Sequence, residues 1–195
     1  MESKIPSAAK LIGLIIYSDA TTLDTYGHSS SHPIYISLAN IPMKRRSKYE
    51  AKALIGYLPI IHASSESQKK SNKFRLLIRE TFQNCLKILF EPLLSQYQNG
   101  IHIYILKQIE WCYIAIANII GDLPEIACYC LTSKSPKSNY PCPKCLVKNS
   151  NLSNISLTKE EMELRTNENM QETLNNNQCQ EYSLIPIPNI FWKHR

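Results

Sequence analysis

The sequence offers no apolar run long enough to cross a bilayer: the stretch at 11–17, Leu-Ile-Gly-Leu-Ile-Ile-Tyr, falls far short of the roughly 20 residues a spanning helix needs. Its first ten residues lack an apolar segment followed by a small-residue cleavage site, so no secretory route is expected. Charge is sparse, with 19% charged against 44% hydrophobic residues, which excludes a largely disordered chain. Internal repeats are missing, which argues against a solenoid or propeller. Seven cysteines cannot all pair, and without a secretion signal they read as thiols or metal ligands in a reducing compartment.

What is present suits one principal domain, with or without a small appendage, in 195 residues. The net charge of +6 is compatible with a polyanionic partner but decides nothing alone.

The run at 11–17 closes on Ser18-Asp19 and predicts a central strand buried on both faces. A turn containing Gly27 and Ser29-Ser30-Ser31 precedes a β-branched second strand at 33–38. A third strand is expected within 53–61, where Pro59 fits best near an end or on an edge. Between 69 and 94, Phe74, Leu77, Ile78, Phe82, Cys85, Leu86, Leu89 and Leu93 recur at helical spacing, and Pro92 is expected to end or kink that helix. Asn99-Gly100 supplies a turn before a short strand at 101–105. The run at 111–120 is a further strand, closing on Gly121-Asp122, with a helix expected from there because Pro124 suits a first turn. The segment 132–149 is polar and Pro-rich, Thr158 to Glu161 reads as a capping box opening a short helix, and order is expected to decline around Asn175-Asn176-Asn177-Gln178. The apolar segment from Tyr182 to Trp192 must bury somewhere.

Three strands, a long helix, then strands with an aspartate at the last one's end is the element order of an RNase H-like domain. Asp19 and Asp122 then end two neighbouring strands, where carboxylates can converge on the hard, oxygen-seeking cations of two-metal phosphoryl transfer. Each aspartate alone is better read as a turn former or a helix cap. Asp24 and Glu125 are second choices as ligands, because Asp24 lies beyond the strand and Glu125 complements a helix N-terminus.

The surrounding words carry more. Tyr17-Ser18-Asp19-Ala20-Thr21-Thr22-Leu23-Asp24, His32-Pro33-Ile34-Tyr35-Ile36-Ser37-Leu38-Ala39-Asn40-Ile41, Gly56-Tyr57-Leu58-Pro59, Gly121-Asp122-Leu123-Pro124-Glu125 and Tyr140-Pro141-Cys142-Pro143-Lys144-Cys145 occur in one order. In this the chain resembles Plavaka-type transposases, of the CACTA-like group of DDE DNA transposons, over 10–192. The resemblance implies an α/β, RNase H-like mixed sheet with flanking helices and a small Cys-containing loop insertion. It matches Asp19 and Asp122 to the first two catalytic, Mg²⁺- or Mn²⁺-binding aspartates. It also implies transposon-end DNA as partner, a nuclear location, no membrane partner and room for a homo-oligomer. The relatives continue past the segment matched by Phe191-Trp192 into a helical region with the third acidic ligand, whereas this sequence ends at Arg195. The fold is thus expected to be incomplete at its C-terminus, and Glu160, Glu161 and Glu163 are not promoted to the missing role. The expected organisation is a flexible 1–9, the front part of the core at 10–133, the Cys-x-x-Cys insertion with a polar helix or loop at 134–181, and an apolar segment at 182–195.

Cys142-x-x-Cys145 has the spacing of half a tetrahedral Zn²⁺ site. Cys128, Cys130, Cys179 and His194 are the candidates for the other half, the alternative being ligands in the C-terminal part that the relatives carry, while Cys85 and Cys112 sit in apolar runs and read as core. Lys44, Arg45, Arg46 and Lys48, the group Lys69, Lys70, Lys73, Arg75 and Arg79, and Lys134, Lys137, Lys144 and Lys148 could contact phosphates, though charge on such faces is usually solvation. His28, His32, His62 and His102 have no catalytic partner spacing. Three readings follow: a fragment of a DDE transposase core, inactive by itself; a non-catalytic zinc-containing DNA- or protein-binding module derived from a transposon; or a decayed reading frame.

Overall fold

In the computed structural model, residues 5–26, 30–133 and 137–193 are described, with the side chains of Leu94, Ser95, Tyr97, Gln98 and Lys193 left out. The chain divides into two units: Met1–Ile60 with Cys85–Gly121, and Ile61–Asn84 with Asp122–Arg195.

The first unit is built on a five-stranded mixed sheet. Its strands are β1 (Lys10–Ser18), β4 (Pro33–Leu38), β5 (Lys52–Tyr57), β6 (Ile101–Ile105) and β7 (Gln108–Ile120), in the spatial order β5-β4-β1-β7-β6. A separate pair of two-residue strands, β2 (Thr21–Thr22) and β3 (Ser30–Ser31), closes the turn between β1 and β4. β1 lies at the centre, antiparallel to β4 and parallel to β7. Only the β1–β7 contact needs a long crossover, since parallel neighbours cannot be joined by a hairpin.

Alternation along β1 sends Leu14, Ile16 and Ser18 to a buried face, while Ile15 and Tyr17 point the other way. Leu86 and Phe90, like Ile16 and Ile34, are fully buried. At Gly13 an added Cβ would lie 2.9 Å from the Ala39 Cβ and 3.2 Å from that of Ala117, so the residue is set by space between strands. Where β4 stops, Asn40 takes over the ladder: its Oδ1 accepts from the Gly13 N–H at 2.9 Å and its Nδ2 donates to the Leu11 carbonyl at 3.0 Å.

Helices α1 (Met43–Arg46), α2 (Glu66–Lys70) and α3 (Asn72–Asn99) follow. Pro92 does not end α3, the first of the two outcomes expected of it; the helix runs on to Asn99. Proline removes one hydrogen bond, and the residues after it resume the ladder. The helix ends instead where Gly100 takes the left-handed conformation, φ +70°. The third strand ends at Tyr57, so Pro59 lies outside it. The β6–β7 hairpin turns through Leu106 and Lys107, at φ 50° and 68°, a conformation that normally selects asparagine and glycine.

The second unit holds residues 61–84, α4 (Leu123–Tyr129) and α5 (Asn167–Asn175). Much of the rest is irregular chain pinned by side chains. Asn189 Nδ2 donates to the Tyr129 carbonyl at 2.6 Å, and Gln83 Oε1 accepts from the Ile190 N–H at 3.1 Å. Met170, Cys179, Leu184 and Trp192 form a buried apolar cluster with Leu174 against it. Of the apolar segment at 182–192, Leu184, Ile187 and Trp192 are buried, while Pro186 and Pro188 are exposed.

No helix opens at Thr158. The Glu161 carboxylate does accept from the Thr158 N–H at 2.9 Å, which is half of a capping box, but the full reciprocal pair sits at Thr166 and Asn169 and starts α5. After 175, Asn177, at φ 58°, turns the chain, and Cys179 and Leu184 join the cluster. No helix among the described residues is long and apolar enough to cross a membrane.

Candidate functional site

Asp19 follows β1 by one residue and is exposed, and its Oδ2 accepts a long, 3.4 Å hydrogen bond from the Tyr17 hydroxyl. Asp122 follows β7 by two residues and is the N-cap of α4, its Oδ1 accepting from the Glu125 N–H at 2.7 Å. The parallel register sets Tyr17 beside Ile120, so each aspartate comes two residues after one member of a paired couple. Each also keeps one carboxylate oxygen outside these bonds. Glu125 is buried, with its backbone engaged by Asp122.

Among the described residues, no group of three or more His, Cys, Asp or Glu side chains is placed to hold a metal ion. Glu161 is bound to Thr158, and Glu163 Oε1 accepts from Asn169 Nδ2 at 3.4 Å.

The cysteine loop belongs to the second unit and is organised by a residue that sequence reasoning missed. Residues 144–146 pair with 163–165: the Leu146 N–H donates to the Glu163 carbonyl at 2.8 Å and the Arg165 N–H to the Lys144 carbonyl at 2.9 Å. This directs the Arg165 side chain into the loop. Its Nε donates to the Cys142 carbonyl and its Nη2 to the carbonyls of Tyr140 and Tyr182, each at 2.9 Å. The rings of Tyr140 and Tyr182 stack with centroids 5.4 Å apart.

Burial pushes the Cys142 thiol up, but the Lys144 N–H, the Cys145 thiol and N–H and the Arg165 charge outweigh it and hold Cys142 below its ordinary value. Cys145 moves the other way, first through burial and then because its thiol donates to Cys142. Cys130 is also raised by burial, although Arg165 opposes this. Of the other cysteines considered as zinc ligands, Cys128 donates to the Pro124 carbonyl and Cys179 lies in the apolar cluster. His194 lies outside the described residues. A cationic neighbour three residues from a carboxylate or twenty from a thiol looks the same in a sequence, so only the pairing of 144–146 with 163–165 singles out Arg165.

Lys44, Arg45 and Arg46 share the last turn of α1, where cations also complement the helix dipole, and Lys48 follows in the next turn, exposed. In the other unit Lys137 and Lys144 are exposed. His28 and Lys134 lie outside the described residues.

The family model described as Plavaka transposase matches residues 1–195. The chain belongs to the Plavaka transposase family. That match spans both units, the one with the sheet and Asp19 and the one with the cysteine loop and Arg165. A search of curated proteins found no match. Family membership ties the chain to transposases and transposable elements.

Proposed function

We propose that the chain is part of a DDE transposase catalytic core with an RNase H-like fold, and that Asp19 and Asp122 are two of its metal-binding carboxylates. The observation that carries this is the parallel pairing of β1 with β7. It aligns Tyr17 with Ile120, so the two following aspartates leave neighbouring strand ends. The three-stranded antiparallel run β1-β4-β5, the long α3 and the return of β7 beside β1 agree with the RNase H-like order.

The donor chemistry fits Mg²⁺ or Mn²⁺. Both residues are hard oxygen donors, and such ions are commonly held by one or two carboxylates, with water and substrate phosphate completing the shell. When bound, the metal would stabilise the attacking and leaving oxygens of phosphoryl transfer on transposon-end DNA. Asp122 holds its free oxygen in place by capping α4 through the other, and Tyr17 orients Asp19. No third carboxylate is assigned, so metal binding is a more direct readout than strand transfer. Titration with Mn²⁺ followed by electron paramagnetic resonance tests the pairing: Asp19→Asn and Asp122→Asn are each expected to abolish binding, and unchanged binding in both would overturn it. A nuclear location, DNA as partner and self-association belong to the same proposal and rest on the family.

The second reading is a zinc-dependent binding module built on Cys142 and Cys145. Its support is the lowered Cys142 thiol, since zinc takes thiolates. The half-buried guanidinium of Arg165 counts against it, because a positive charge already lies near these sulfurs. Metal analysis after expression in zinc-replete medium separates the two, and stoichiometric zinc would favour the module.

A further inference from the structure

One groove of the first unit is not used by the carboxylates. It has a volume of about 490 Å³, the size of a small-ligand site, and lies on the face of the sheet opposite Leu14 and Ile16. Strand register assembles its floor: Tyr17 pairs with Tyr35 and with Ile120, and Ser37 pairs with Lys52. The Tyr17 and Tyr35 rings lie 6.4 Å apart with an interplanar angle of 33°, and Tyr17 is 42% exposed. Arg46 and Lys52 line the groove, and no carboxylate does. The Ser37 Oγ is buried and meets no hydrogen-bond partner among the described residues.

We propose that this groove binds an unpaired nucleotide of single-stranded DNA, with its base against Tyr35 and Tyr17 and its phosphate between Arg46 and Lys52. Two features favour this occupant over an apolar peptide. An aromatic floor stacks any base without regard to sequence, and two cations without a counter-charge match a phosphate. Duplex DNA is excluded by size, because a groove of this volume admits about one nucleotide and stacked base pairs hide the faces that the tyrosines would meet. The Tyr17 hydroxyl reaches the Asp19 carboxylate, so a base held here would lie beside a residue proposed to hold metal. The inference takes DNA as ligand from the transposase reading, but the groove itself does not depend on the metal site.

Fluorescence anisotropy of a labelled 12-nucleotide single strand and of the matching duplex, both in EDTA, tests the inference on the full chain. Tyr35→Ala is expected to weaken single-strand binding about tenfold and leave duplex binding unchanged, and Tyr35→Phe to retain it. Lys52→Gln should weaken it and lower the slope of log affinity against log salt by about one. Far-ultraviolet circular dichroism confirms that each variant is folded. Equal loss for strand and duplex in Tyr35→Ala, undiminished strand binding, or no strand binding by the unaltered chain would each overturn the proposal. Because the assay is run in EDTA, its outcome does not depend on whether Asp19 and Asp122 hold metal, so failure here and failure of the metal-site reading are told apart by the Mn²⁺ titration.

Discussion

The two units are held by different means. In the first, a central strand with neighbours on both sides carries most of the order, and its register follows from which residues are apolar. In the second, beyond α4 and α5, chain without regular ladders is fixed by single polar side chains reaching across long sequence separations: Arg165 to Tyr140, Cys142 and Tyr182, Asn189 to Tyr129, and Gln83 to Ile190. Distributed burial tolerates small losses, whereas removing a half-buried polar hub leaves several carbonyls without their charged donor at once.

That contrast can be broken most forcefully from the sheet side. Phe90 is fully buried, so Phe90→Ala should cost about 4 kcal/mol, measured by urea unfolding, with amide exchange rising throughout β1, β4 and β7. Retained protection in those strands would show that Phe90 does not support the sheet. Arg165→Ala comes next, at about 3 kcal/mol, because three carbonyls lose a charged donor. Here the expected signature is local: faster exchange at 140–146 and 182–185 with the strands unchanged. An equal rise in both units would mean that they unfold as one body and the contrast has no energetic content.

A smaller and opposite effect is expected at the β6–β7 turn. Replacing Leu106-Lys107 by Asn-Gly should stabilise the chain by about 1 kcal/mol in the same urea experiment, since both native residues hold positive φ. A loss of stability would mean that the Leu106 and Lys107 side chains contribute more than the turn costs.

The smallest energetic effect belongs to Cys142. Its thiol ionises below the ordinary value, so its alkylation by iodoacetamide should set in at lower pH than that of Cys130 or Cys145, which are raised. Linkage gives the sign: stability from the thiolate is present at pH above the unfolded thiol's pKa and is lost as pH falls through the depressed folded value. Arg165→Gln should move the Cys142 profile upward, and an unmoved profile would remove Arg165 from the causes.

Much of the first unit was legible beforehand. The strand at 33–38 falls at the expected residues and β1 is central, though only one of its faces is buried; in the second unit, a helix does begin after Asp122. These depend on apolar periodicity and caps, which act over a few neighbours. Pro92 misled because a helix can carry one missing hydrogen bond when its other residues pack. Thr158 misled because half a capping box looks complete in sequence, and only the paired side chains distinguish Thr166. Of the candidate site, the two aspartates and the two loop cysteines were visible as residue types at strand ends and in a turn. Arg165, Tyr35 and Lys52 were not, since nothing local marks a residue whose role depends on a partner far along the chain.

By itself the sequence determined roughly where the main strands and the long helix lie, that no helix among the described residues is long and apolar enough to cross a membrane, and through its ordered words which family the chain joins. Tertiary structure alone decided the register that sets Tyr17 of β1 beside Ile120 of β7, and that the Arg165 guanidinium reaches the backbone of the cysteine loop at Cys142. The physical reason is range. Propensity and capping are set within a few residues, whereas strand pairing and buried charge depend on which distant segments come to share one space.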